Sequence, residues 1–379
     1  MARPRGGDGD GDDSGGGGGR GGDYGEPERR KPVGGRRSNG GRSRRKELGV
    51  SCMLNTEVGA VLAVIRRSSS SDGGSFLPSP DDGSSAGGGG DSHLLHSLKS
   101  LRSLIFQPDA GEWRSVEPSV YLGPFIEVVQ SGDVPAAATG VALSAILKIL
   151  KLDIFDEKTP GAGEAVHSLV LAATNCRLER TDPASEDAVL MRILQVLTAV
   201  LRHPASLLLS DHAVCTVVNT CFQVVQQSAC RGHLLQRNAR YAMHELVQTI
   251  FSRLPEIQAA EHSDSDTDGD GAGEAGYGAR CMVDIFQFLC SLMNVVEVAD
   301  SGEGVGPSCS DEEIQLFALI LISSAVELGG ESIGHHPRLQ RIIQDDLFHH
   351  LIHYGTRASP LVLSMICSTV LNLYHFLRG

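Results

Sequence analysis

Aromatic residues are scarce in this chain: one Trp, six Tyr and 11 Phe among 379 residues. In the basic N-terminal stretch Tyr24 stands alone, so base stacking there is poor. The nine Cys, at 52, 176, 215, 221, 230, 281, 290, 309 and 367, contain no C-x-x-C pair. They are odd in number and fall mostly inside apolar helical patterns. That usage suits reduced, buried thiols in the cytosol better than a disulfide framework. The N-terminus has Arg but no apolar core of a secretory signal. No run of about 20 predominantly apolar residues is read, so no transmembrane helix is expected. The uncharged stretch 212–230, for example, contains Asn219 and three Gln. Work at a membrane would require recruitment. Sustained strand alternation is missing as well, which leaves helix as the regular structure.

Charge is distributed unevenly. Residues 1–46 hold 16 Gly, 12 Lys or Arg and 7 Asp or Glu, a net of +5, while the chain as a whole carries -13. The remainder therefore carries -18, a poor candidate for holding a phosphate backbone. The first 47 residues read as a disordered Gly/Arg-rich tail. A helical stripe then runs from Cys52 to Arg67. Residues 68–91, rich in Ser, Gly, Asp and Pro, read as a flexible insertion.

From residue 92 onward, apolar residues recur at i, i+3, i+4 and i+7 in segment after segment, the amphipathic helix signature. Stripes fall at about 94–105, 121–129, 141–150, 163–177, 184–202, 212–228, 233–254, 281–298, 312–328, 338–354 and 360–377. Pro183 with Glu186, Ser210 with Asp211, and Gly329 with Gly330 supply start and stop signals. His203-Pro204 and His336-Pro337 mark turns. About a dozen consecutive helices with short connections predict an all-α armadillo/HEAT-like solenoid. No clean fixed period is present, so an irregular helical bundle is the alternative. Residues 255–279 hold seven acids and no Lys or Arg. They read as a disordered acidic linker between a helical domain over 48–254 and another over 280–379.

Letter matches to chemical motifs lack their context. Gly16–Gly21 fits G-x-G-x-x-G without a preceding strand or a following helix. Gly83–Gly87 and Gly330–Gly334 fit G-x-S-x-G without the strand-turn-helix of a nucleophile elbow. Asp264, Asp266, Asp268 and Gly269 begin an EF-hand-like loop, but Ala275 holds the position that needs a bidentate Glu. His349 and His353 share a helix face, with His350 where a metalloprotease would carry Glu. No nucleophile, base and oxyanion site assembles, and no metal or cofactor is expected. Arg36, Arg37, Arg42, Arg44, Arg45 and Lys46 give incidental polyanion affinity. An RNA-associated role through this tail is a rival reading. Arg66-Arg67 before Ser68–Ser71 matches a basophilic phosphorylation pattern.

Longer strings carry a resemblance. Thr181–Glu186 running on through Val189–Leu197 looks like a helix start of the large ARF guanine-nucleotide exchange factors. Val214–Phe222, Leu234–Arg237 and Met243–Val247 resemble the plant GNOM branch. Cys52-Met53, Thr56-Glu57, Ala60–Val64, His335–Leu339 and Leu371–Tyr374 continue the likeness at both ends. The resemblance implies that 48–254 is a DCB domain, for dimerisation and cyclophilin binding, and that 280–379 is the start of a HUS domain. It implies a noncatalytic regulatory region, cytoplasmic and peripherally associated with Golgi or endosomal membranes. Its partners would be a second copy, the full-length ARF exchange factor and a cyclophilin, with no specific nucleic acid. Because the chain ends at Gly379 without residues resembling the exchange domain, it is expected not to exchange nucleotide by the family mechanism. The other rival is a complete exchange enzyme of which this is a part. Lys148, Glu186 and Asp187 are the candidate charged edges of the dimer contact.

Overall fold

An amphipathic stripe forms a lasting helix only when its apolar side is covered. Here each stripe is covered by the helices before and after it. The computed structural model describes residues 40–71, 89–107, 112–176, 183–264, 276–294, 309–356 and 358–377. Among these, every regular element is helical. α1 (Gly40–Ser71) and α2 (Gly89–Ile105) lead to a 3-10 turn at Trp113–Ser115. Then follow α3 (Pro118–Gln130), α4 (Ala136–Leu150), α5 (Ala162–Thr174) and α6 (Pro183–Arg202). After a second 3-10 turn at Pro204–Leu208 come α7 (Asp211–Ser228), α8 (His233–Phe251) and α9 (Leu254–Asp264). α10 (Ala279–Ser291), α11 (Cys309–Gly329), α12 (Glu331–His335), α13 (Pro337–Ile342), α14 (Phe348–Gly355) and α15 (Pro360–Leu377) complete the series.

From Arg44 onward the chain is one contact unit, built as two layers. One layer stacks α2, α3, α5, α7, α10 and α13 in order, and the other stacks α4, α6, α8, α11 and α15. The hairpins α3/α4, α5/α6, α7/α8 and α10/α11 join the layers. Sequence-consecutive hairpins packed side by side are the helical solenoid predicted from the stripes. Residues from Val50 to Leu373 form a single apolar core between the layers.

Local signals set the boundaries. Ser210 Oγ accepts the Ala213 N–H at 3.3 Å and starts α7. His336 Nδ1 accepts the Leu339 N–H at 3.4 Å and starts α13. Gly330 has φ +49°, in the left-handed region, and ends α11.

Two boundaries differ from the sequence reading. α1 begins at Gly40, inside the stretch read as tail. Glu47 Oε2 accepts the Trp113 backbone N–H at 2.8 Å, and Ser51 Oγ accepts its indole N–H at 2.9 Å. These contacts with a residue far along the chain hold the early turns. The stretch read as linker opens as helix α9, anchored by fully buried Leu254 and by Gln258 Nε2 donating to Ser332 O at 2.8 Å. Residues 265–275 of that linker, 72–88 of the insertion and residues 1–39 lie outside the described residues.

The stripe at 338–354 is not one α-helix either. A π turn at Ile343–Leu347 separates α13 from α14. Leu339, Ile343, Leu347 and Leu351 are all buried. A four-residue spacing drifts about 40° per step around an α-helix, and the wider π turn absorbs that drift. Finally, residues 45–68 and 360–377 are long and apolar enough to cross a membrane by composition, with mean hydropathies of 1.7 and 1.5. In α1 the apolar side lies in the core beside buried Glu57. α15 leaves Leu361, Leu371 and Tyr374 exposed.

Candidate interaction surface

The second layer presents a grooved outer surface. Between the C-terminal halves of α4 and α6 and the flank of α8 lies a cleft of about 570 Å³, lined by Lys151, Arg192, Arg202, His203 and Glu245 among others. α6 and α8 are clamped at its edge by an ion pair between Arg202 and Glu245. Arg192 Nη1 donates to Gln195 Oε1 at 2.8 Å, one turn along α6. Asp153, after α4, has φ +47°, and its carbonyl accepts Arg114 Nη2 at 3.0 Å.

His203 is the one buried titratable group lining this cleft, and its role is structural. Its Nδ1 accepts the Ala205 N–H at 3.2 Å and caps the 3-10 turn that follows. The ring lies 4.3 Å from that of Phe155. Burial pushes the imidazole below its ordinary value, and Asp153, Asp156 and Glu157 oppose this more weakly. No nucleophile stands against it. The cleft is thus lined by charges of both signs beside one buried imidazole.

Lys148, Glu186 and Asp187 all sit on this layer, each already engaged within the chain. Lys148, near the end of α4, places Nζ 2.5 Å from Glu57 Oε1 of α1. The lysine side chain is 53% exposed and the glutamate 7%. Glu186 and Asp187, in the early turns of α6, share one guanidinium. Arg231 Nη2 lies 2.8 Å from Glu186 Oε1, and Nη1 lies 2.9 Å from Asp187 Oδ1. Those hydrogen bonds push Arg231 above its already high ordinary value, so the cation persists at any ordinary pH. Gly140 of α4 and Ser185 and Ala188 of α6 line one shallow groove. Lys148 lies two turns further, about 12 Å along the axis. The structure thus places the lysine and the acid pair on one layer but at opposite ends of the α4–α6 groove.

Sequence reading missed Glu57, Trp113, His203 and Arg231. Only the proximity of Glu57 to apolar neighbours on its stripe signalled a buried carboxylate that needs a cation. Two of the motif matches fall on described residues. Ser332 lies in the short α12, and His335 Nδ1 donates to the Glu331 carbonyl of its own helix at 2.7 Å. The rings of His349 and His350 meet edge to face at 5.7 Å. Among the described residues, no three His, Cys, Asp or Glu side chains gather as metal ligands would. Gly16–Gly21, Gly83–Gly87 and the EF-hand-like stretch beyond Asp264 lie outside the described residues.

With this geometry established, known proteins give the array a context. Residues 278–379 match the Mon2/Sec7/BIG1-like HUS domain of Sec7-like proteins. Over 343 residues, 89% of this chain, the sequence is 63% identical to the ARF guanine-nucleotide exchange factor GNL2 of Arabidopsis thaliana. Over 87% of the chain it is 41% identical to the ARF guanine-nucleotide exchange factor GNOM of the same plant. The sequence is GNOM-like. Similarity reaches further, to a Golgi-specific brefeldin A-resistance guanine nucleotide exchange factor 1 homolog of Caenorhabditis elegans, 30% identical over 43% of this chain and 8% of that protein. The GNOM-like chain spans about a quarter of the length of its plant relatives, 24% of GNL2 and 26% of GNOM. Within it, the HUS match begins at the N-cap of α10, where the array resumes after the acidic stretch.

Proposed function

We propose that this GNOM-like chain is the noncatalytic dimerisation and regulatory region of an ARF guanine-nucleotide exchange factor. In this reading, residues 48–254 are DCB-like and residues 280–379 are the beginning of a HUS domain. The chain associates with a second copy and with the body of a full-length exchange factor. It thereby helps place ARF activation on Golgi or endosomal membranes, with a cyclophilin as a further partner. The observation that carries this reading is the 63% identity to an ARF exchange factor across 89% of the chain. The solenoid is compatible with it, since stacked hairpins make long surfaces for protein contact. Lys148, Glu186 and Asp187 form charged edges of the contact, meeting the partner as half-exposed ion pairs.

Light scattering of the full chain across a concentration series tests the proposal. A mass that rises to that of two chains supports it, and a strict monomer overturns self-association. Charge reversal at Glu186 and Asp187 also breaks the internal link to Arg231. The informative variant is therefore Glu186→Lys with Asp187→Lys and Arg231→Glu, which restores the internal pair with opposite sign. Melting is expected near that of the wild type, with dimer affinity weakened about tenfold, on the order of 1.4 kcal/mol. Unchanged affinity removes these residues from the contact.

A further inference from the structure

Two thiols of the first layer are in contact. Cys215 stands in the second turn of α7 and Cys281 in the first turn of α10, with their sulfurs 3.6 Å apart. The helix ends that carry them are tied together. Asp211 Oδ1 accepts the Gly278 N–H at 2.8 Å, joining the start of α7 to the start of α10. Beside it, Arg253 Nη1 donates to Ser206 Oγ at 2.8 Å and to Tyr277 Oη at 2.7 Å. These bonds fix where the two cysteines meet.

The two sulfurs are not equivalent. Cys281 is fully buried, whereas Cys215 is half-buried. The contact with the Cys281 sulfur holds the Cys215 thiol below its ordinary value, against burial and the nearby Asp284 and Asp211. The same contact and its own burial push Cys281 up. The other buried thiols differ. Cys221 and Cys290 are each pushed up to about 12 by burial.

We propose that Cys215 and Cys281 are a redox modification site that closes to a reversible disulfide across the α7–α10 junction, with hydrogen peroxide as oxidant. The Cys215 thiolate attacks one peroxide oxygen, the O–O bond breaks, and hydroxide leaves. Cys215 is then a sulfenic acid. Cys281 gives its proton to the leaving hydroxide, and its sulfur attacks the sulfenyl sulfur. An S–S bond forms, the S–O bond breaks, and the displaced hydroxide is protonated by solvent to a second water. Two thiols lose two electrons to one peroxide, which ends as two waters. The sulfurs must close from 3.6 Å to about 2.05 Å, a shift within the reach of side-chain rotation. A thiol reductant reverses the bond by exchange. The link would pin together two hairpins already joined by apolar packing, the Asp211 and Arg253 bonds, the Arg240–Glu313 ion pair and the His244–Ser324 hydrogen bond.

The test uses the full chain, reduced and then treated with hydrogen peroxide. Free thiols are blocked with an alkylating agent, and digested peptides are mapped by mass spectrometry. The expected result is a Cys215–Cys281 linked peptide pair, two hydrogens lighter than its parts and lost on addition of a dithiol. In Cys281→Ala, Cys215 cannot be resolved, so a sulfenic-acid trap should label it about tenfold more than in the wild type. Circular dichroism confirms that this variant is folded. If it is not, the wild-type map decides alone. Recovery of both cysteines alkylated, or of Cys215 oxidised while Cys281 stays free, overturns the proposal.

Discussion

The Trp113 indole is one anchor of α1, beside its apolar side and the Lys148–Glu57 pair, and removing its acceptor should loosen that helix selectively. Trp113 is 2% exposed, and its indole N–H donates to Ser51 Oγ at 2.9 Å. Ser51→Ala keeps helix propensity but leaves a buried donor without a partner, which costs about 1–3 kcal/mol. Trp113→Ala removes the whole side chain, including its edge-on contact with Tyr121 at 6.1 Å, and should cost about 3–5 kcal/mol. Trp113 is also the only Trp in the chain, so its emission reports the α1 junction without labelling. In urea, with a slope of roughly 2 kcal/mol per molar, Ser51→Ala should move the fluorescence midpoint down by about 0.5–1.5 M. Far-UV circular dichroism, which sums all helices, should shift less, because hairpins of a solenoid respond mainly to their neighbours. Fluorescence and dichroism curves that both stay at their wild-type midpoints would refute the assignment of Trp113 as an anchor.

Other outcomes follow from the same geometry. Arg231→Ala should destabilise the α6–α8 region by about 1 kcal/mol, discounted for partial exposure, and the loss should shrink at high salt. Chemical denaturation at two ionic strengths checks both. Burial lowers the His203 pKa in the folded state, so the folded chain binds fewer protons than the unfolded chain below the ordinary imidazole value. Stability from this group is full above about pH 6.5 and falls as pH drops below it. His203→Asn keeps a cap for the Ala205 N–H and should flatten that part of the melting-temperature profile between pH 7 and 5. Alkylation at pH 8 should modify exposed Cys52, Cys230 and Cys367 well before Cys221 and Cys290, read as peptide masses over time.

What could be read in advance was what is encoded locally. The α7 start needs only Ser210 and the amide of Ala213, three residues away. The amphipathic stripes likewise repeat within a few turns, so helix after helix was legible, and with them the solenoid. The misplaced boundaries share another cause. Trp113 fixes α1 from 62 residues away, and Gln258 meets Ser332 across 74. No spacing rule reaches that far. The same holds for the candidate surface. Lys148, Glu186 and Asp187 were recognisable as charges on helices, but their partners Glu57 and Arg231 are set by stacking. The GNOM likeness was legible because long strings preserve order, which composition does not.

The two-layer stacking has a mechanical consequence. Each hairpin leans on the next through side chains that slide more readily than backbone bends, so the array can flex by small rotations shared among many junctions. A push on α15 should fade junction by junction before it reaches α1, unless one junction is stiffened. The ties at Asp211 and Arg253 make the α7–α10 junction such a stiff point. Strain applied on either side would collect there instead of spreading evenly.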